Sequence, residues 1–172
     1  MDLPTARAER SRGSSPGRRN AHTLMRARKV ALPTFATPSA SRSRNMAAIK
    51  SRGNKTTERR LRALLVGAGI GGWTLHGTVE IGSPDFVFRR PKIAVFVHGC
   101  FWHGCPRCGH VPETNSPYWI AKLARNLSRD QQAQQLARRC GYTTVKVWEC
   151  ELRRRPEMCI NRIKRAIMRE VN

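Results

Sequence analysis

Two short apolar runs, Phe86-Val87-Phe88 and Ile93-Ala94-Val95-Phe96-Val97, stand on either side of the basic turn Arg89-Arg90-Pro91-Lys92. Runs of this length and composition, joined by a tight turn, predict two paired strands. The pair is framed by reactive side chains. Asp85 opens the first strand, and the second leads straight into His98-Gly99-Cys100-Phe101-Trp102-His103-Gly104-Cys105-Pro106-Arg107-Cys108. Strand ends hold side chains in fixed places, and the loops that follow them commonly carry chemistry. The stretch points to metal-dependent chemistry on an anionic polymer.

The remainder of the chain agrees with an anionic partner. A net charge of +22 over 172 residues draws a protein to polyanions and says little about its fold. Nucleic acid is the expected partner, because no apolar run is long enough to span a bilayer. The basic N-terminus lacks an apolar core segment and so does not read as a secretory signal, although its Arg, Ser and Ala leave a mitochondrial transit segment open. Without a secretory signal the six cysteines are not expected to form a disulfide framework. Beyond the N-terminal tail the only Asp residues are Asp85 and Asp130, so few side chains compete to bind a hard cation.

Residues 1–41, rich in Arg, Ser, Pro, Gly and Ala, predict a disordered basic tail, and residues 42–172 a single folded domain. Leu61, Leu64, Leu65 and Ala68 recur at helical spacing, with Thr56 or Thr57 as the cap and Glu58 in the first turn. Trp73 to His76 predicts a strand, residues 79–83 a loop, and residues 105–117 irregular chain. A helix over Tyr118–Arg139 follows, closed by Gly141. Its apolar side is expected to run through Ile120, Leu123, Ala124, Leu127, Gln131 and Gln134. A second stripe carries Trp119, Lys122, Asn126 and Asp130, a set suited to nucleic acid. Thr143–Trp148 predicts a strand and Pro156–Glu170 a basic helix. The order implies an α/β domain of two or three layers around a mixed sheet.

Cys100, Cys105 and Cys108 supply three thiolates at metal-binding spacing. A structural zinc takes four ligands. Cys150 is the best fourth, provided that its strand lies beside the one ending at Val97; His103 and His110 are rivals. Such a closed site would staple a Gly- and Pro-rich loop and take no part in chemistry. Cys140 and Cys159 read as ordinary helical cysteines.

Several separated motifs together resemble the very short patch repair (Vsr) endonucleases: Arg44-Asn45-Met46, the Glu58 helix, Pro84-Asp85-Phe86, His98-Gly99-Cys100-Phe101-Trp102-His103, Tyr118-Trp119, Asn126 with Asp130, and Trp148-Glu149-Cys150. The resemblance implies a restriction-endonuclease-like fold and Mg2+-dependent nicking 5' of the T in T:G mismatches left by 5-methylcytosine deamination. By that likeness Asp85 and the main-chain carbonyl of Val97 would bind Mg2+, and His98 would support the scissile phosphate. His103 would be the general base oriented by Asp130, with Glu58 an additional acid near the metal. Phe101, Trp102 and Trp119 would form a wedge in the base stack, Lys122 and Asn126 would read base edges, and Asn45 and Met46 would reach the DNA from the other groove. Cys105 stands where the best-known members use His, which makes the implied zinc site all-cysteine.

The same likeness implies a bacterial, cytoplasmic, DNA-associated monomer, with mismatched duplex as substrate and mismatch-repair proteins and DNA polymerase I as candidate partners. Two alternatives stand beside it. One is a zinc-stapled DNA-binding protein without catalysis, which would have no need of Asp85, His103 and Asp130. The other is a related nuclease of a restriction–modification system with a different target.

Overall fold

The computed structural model describes residues 57–171 together with Leu32. Nearly all of the expected basic tail, the start of the expected domain at residue 42, and Asn45 and Met46 lie outside the described residues.

Four strands form one mixed sheet: β1 (Trp73–Leu75), β2 (Phe86–Phe88), β3 (Ile93–His98) and β4 (Thr143–Trp148), in that spatial order. β1 to β3 are antiparallel neighbours, while β4 runs parallel to β3 from Ile93↔Thr143 to His98↔Trp148. A parallel pair needs a long crossover. Here it is the helix α2 (Ser116–Arg139), preceded in the chain by α1 (Glu58–Gly67).

Every residue of β3 is buried, because helices cover both faces of the sheet. On one face Phe86, Phe88, Val95 and Val147 pack with Leu61 and Leu65 of α1 and with Ile163 of α4 (Pro156–Val171). Each such side chain removed from water stabilises the fold by roughly 1.5–3 kcal/mol. On the other face Ala94 and Phe96 meet Ala133, Ala137 and Tyr142. The result is a three-layer α/β architecture with a mixed sheet flanked by helices, consistent with a restriction-endonuclease-like fold.

The alternation along β3 positions the site. Ile93, Val95 and Val97 point to α1 and α4, so Ala94, Phe96 and His98 point to α2. Parallel register ends β3 and β4 together, which carries Cys100 and Cys150 to one edge.

Several expectations need correction. Thr57 is the residue before α1, but its side chain makes no capping hydrogen bond. Residues 79–81 form a 3-10 turn in the expected loop. A short helix α3 (Glu149–Arg154) follows β4 directly, its start held by the Trp148 N–H donating to Glu151 Oε2 at 3.2 Å.

The expected apolar side of α2 is wrong at Ile120, Ala124, Leu127 and Gln131, which are exposed. Leu123, Gln134 and Ala137 are buried, whereas Ile120 is 58% exposed and Leu127 39%. A helix of 24 residues is roughly 36 Å long and a strand of six roughly 20 Å. Only the second half of α2 therefore rests on the sheet; the first half continues past its edge beside the 98–104 loop. The end of α2 is as expected: Gly141, at φ +79°, donates to the Arg138 carbonyl while Tyr142 N–H reaches Ala137.

Candidate active site

Asp85 precedes β2 on the edge where β3 ends. Its Oδ2 accepts the Val97 N–H at 2.6 Å, so a carboxylate lies against the Val97 peptide unit. Burial pushes the Asp85 carboxyl up to about 7; the Val97 N–H opposes the rise, the Glu58 carboxylate adds to it, and His103 opposes it. Glu58 is itself only 6% exposed at the head of α1. A buried carboxyl facing another acid is poised to exchange its proton for a cation.

His98 ends β3 and His103 follows one loop turn later. The two imidazoles stack at 4.3 Å, and the His98 ring also meets Trp148 edge-on at 5.1 Å. Asp130 reaches both from α2, with Oδ2 2.6 Å from His103 Nδ1 and 3.9 Å from His98 Nδ1. The carboxylate can only accept, so it fixes the proton of His103 on Nδ1 and leaves Nε2 as a base. Burial, helped by His103, lowers the His98 pKa to about 4, which keeps that ring neutral beside its neighbour. His98 Nδ1 is buried without a hydrogen-bond partner among the described residues. His98, His103 and Asp130 offer ligand atoms within 4.8 Å of one another, and so could also hold a metal.

The predicted stripe on α2 faces this loop. Asn126 Nδ2 donates to the Trp102 carbonyl at 2.9 Å. Trp119 meets Phe101 at 5.2 Å and Trp102 at 6.1 Å, and Phe101 meets Trp102 at 5.0 Å. All three rings are half-buried, and together they form one aromatic cluster at the loop tip. Lys122 is half-buried on the same stripe and has no partner among the described residues.

The sulfurs of Cys100, Cys105, Cys108 and Cys150 all lie within 4.8 Å of one another. The Cys105–Cys150 pair is 3.8 Å apart, close to the roughly 3.8 Å edge of a tetrahedron with metal–sulfur bonds of about 2.3 Å. Cys150 N–H points at Cys100 Sγ from 3.3 Å. Burial raises the Cys105 thiol, but the N–H groups of Arg107 and Cys108 outweigh it and bring it down to about 7. Four converging sulfurs with backbone donors fit a thiophilic metal. His103 is engaged by Asp130 and His110 lies against Phe101, so neither expected rival joins the set.

Some neighbours were not legible in the chain. His76, an ordinary residue by its sequence, adopts φ +53° and sets Nε2 3.9 Å from Glu58 Oε2. Lys146 lies 5.6 Å from the Trp148 ring centroid, and its charge adds to the lowering of the His98 pKa. Glu151 is buried between Arg107 and Arg162; burial disfavours its charge, but the two guanidiniums and the Trp148 N–H hold it down at about 2. Only an Asp or Glu just past a strand would have hinted at Glu151.

The sheet, the acid and histidine cluster at its edge and the basic chain fit a nuclease. The chain belongs to the family of the DNA mismatch endonuclease Vsr, whose family model matches residues 36–108. It is 39% identical over 139 residues to the type II nicking enzyme V.NaeI of Lentzea aerocolonigenes, covering 77% of this chain and 82% of that protein. It is 36% identical over 121 residues to the DNA mismatch endonuclease Vsr of Escherichia coli K12, covering 69% and 76%. A match to the type II nicking enzyme V.XorIIP of Xanthomonas oryzae pv. oryzae is 39% identical over 101 residues, covering 58% and 73%. The protein is therefore a DNA-nicking endonuclease of the mismatch-repair type. Among the described residues no helix is long and apolar enough to cross a membrane.

Proposed function

We propose that the enzyme nicks one strand of duplex DNA 5' of the T in T:G mismatches arising from 5-methylcytosine deamination, with Mg2+ as cofactor. The observation that carries the reading is the His103–Asp130 pair at 2.6 Å, placed beside the buried Asp85 carboxyl. A non-catalytic DNA binder has no use for that combination.

Asp85 and the Val97 carbonyl would hold Mg2+, with Glu58 as a nearby acid. Bound there, the ion would neutralise charge on the scissile phosphate and acidify its water. The chain's own part is proton handling. His103 Nε2 takes the proton of the attacking water while Asp130 stabilises the imidazolium that forms. The water oxygen bonds to phosphorus, and the bond to the leaving ester oxygen breaks. Neutral His98, stacked on His103, would support the phosphate without adding a competing charge. The four-cysteine centre fits structural Zn2+ and would tie the loop to β4.

Phe101, Trp102 and Trp119 suit a wedge beside the mismatch. Unstacking a base step costs roughly a few kcal/mol, and less at a mismatch, which is a physical source of selectivity. Lys122 and Asn126 would read base edges, and Asn45 and Met46 would add contacts from the N-terminal side. Mismatch-repair proteins and DNA polymerase I would act with it in a bacterial cytoplasm.

A second reading concerns the target. The relatives include proteins named as type II nicking enzymes, which favours a related nuclease of a restriction–modification system with a different target. One assay tests both. Duplexes carrying T:G in a panel of flanking sequences, with paired controls, are incubated with the protein and Asp85→Ala in Mg2+ or EDTA. A Mg2+-dependent nick beside the mismatched T, absent in the variant, is expected; equal cutting of paired controls would remove the repair role. The flanking sequence that is cut tells the two readings apart.

A further inference from the structure

A second concave site lies where the cysteine loop returns to the sheet. Arg107 and Cys108 there meet Glu151, Arg154, Arg155 and Arg162 around a cavity of about 310 Å3. None of the residues assigned to cleavage lines it.

Glu151 organises one wall. Its Oε1 accepts Arg107 Nη2 at 2.5 Å and Arg162 Nη2 at 3.0 Å, and its Oε2 accepts Arg162 Nη1 at 3.1 Å. Arg162 Nη1 also donates to the Lys146 carbonyl at 2.6 Å. Arg162 is thereby locked, while Arg107 keeps further N–H groups and a side chain that is 60% exposed.

Arg154 and Arg155 differ. They sit at the joint between α3 and α4, are exposed, and have no side-chain acceptor among the described residues. An exposed arginine is commonly just solvated. These two border a cavity whose other wall holds Arg107 and Arg162 against Glu151. The 16-residue α4 begins at Pro156, and its Met158 also lines the cavity, so the positive end of the helix dipole adds to the same field. A metal-loaded four-thiolate centre would be doubly negative and Glu151 adds one charge; the four guanidiniums still leave the pocket positive. Planar guanidinium forks match the oxygens of phosphate.

We propose that the pocket bounded by Arg107, Arg154, Arg155 and Arg162 is a phosphate-binding site separate from the cleavage centre, taking a backbone phosphate of the bound duplex away from the nicked step. It rests on the DNA-nicking activity and not on the T:G target. The same forks would accept the phosphate of a free anion, and the test separates these sources.

The full-length protein and its Arg154→Gln/Arg155→Gln variant are compared on fully paired duplexes of roughly one and three helical turns. Affinity is followed against salt, because each phosphate that is no longer neutralised lowers the slope of log K against log[salt] by about 0.9. The expected result is a slope lower by about 1–2 on the long duplex, with weaker binding, and an unchanged slope on the short one. Pyrophosphate is titrated into both proteins as the free-anion probe. An unchanged slope with pyrophosphate binding abolished in the variant would keep the phosphate site and overturn its DNA source. No change in either would overturn the proposal and leave the arginines as a solvated rim. Equal melting temperatures exclude misfolding. Because every duplex is fully paired, failure of the T:G target would leave the slope comparison intact.

Discussion

His103 Nδ1 and Asp130 Oδ2 are 2.6 Å apart, although 27 positions separate them in the chain. The pairing joins a loop after the central strand to the second half of α2. It holds one tautomer of His103, with Nε2 left as the basic nitrogen. Removing the proposed base by His103→Ala should lower the nicking rate by about a hundredfold to ten-thousandfold with little change in DNA affinity. Asp130→Asn should leave part of the activity, about a tenth to a hundredth, since the ring remains but its orientation and charge partner are lost. Single-turnover nicking with separate binding isotherms checks both, and equal losses of binding and rate would argue against a proton-transfer role.

Asp85 predicts a pH effect on stability in metal-free protein. Its folded pKa, about 7, lies above the unfolded value of about 4. The native state therefore holds the extra proton between these values, and the contribution present below pH 4 is lost as pH rises through 7. Asp85→Asn should remove that loss and stabilise the chelated protein at pH 8 by about 1–3 kcal/mol, with little effect at pH 4. Denaturant melts at both pH values test it. Added Mg2+ should narrow the gap by stabilising the parent alone.

His98 and Glu151 act in the opposite sense. Both have folded pKa values below the ordinary ones, about 4 and about 2. Their contributions are complete above the unfolded pKa and disappear as pH falls, between roughly 6.5 and 4 for His98 and between roughly 4.5 and 2 for Glu151. His98→Gln should flatten the first of these windows in an acid melt, and Glu151→Gln the second.

The four-cysteine centre should carry one thiophilic metal per chain. Cys150→Ser should release it and lower the melting temperature, because the loop from Cys100 to Cys108 loses its tie to β4. Metal content by elemental analysis, read beside the melt, checks this. Cys159→Ser, altering a buried helical cysteine outside the set, should leave the metal in place.

Gly82 has φ +81°, and a Cβ there would collide with the Ala133 carbonyl of α2. Gly82→Ala should cost about 2–4 kcal/mol, combining left-handed backbone strain with a displaced helix. Thermal melts would show it. A loss under 1 kcal/mol, about the strain alone, would mean that α2 yields without resistance.

Much of this protein is set by local order in its sequence. Residue period, turn residues and a terminal glycine determine strands β2 to β4, helices α1 and α2 and the Gly141 cap, because those signals act over a few neighbouring residues. The cysteine spacing and the His98 to His103 string likewise name side chains that converge at the sheet edge. Tertiary structure decided what those groups face. Cys150 joins Cys100 only because β4 runs parallel to β3 in a register that ends both together. Ile120 and Leu127 are exposed because α2 outruns the sheet, a matter of relative lengths that no helical period encodes. The His76–Glu58 approach and the Arg107–Glu151–Arg162 cluster bring together residues that are remote in sequence. Such pairings form only when the layers pack, so burial and electrostatics at the site belong to the fold as a whole.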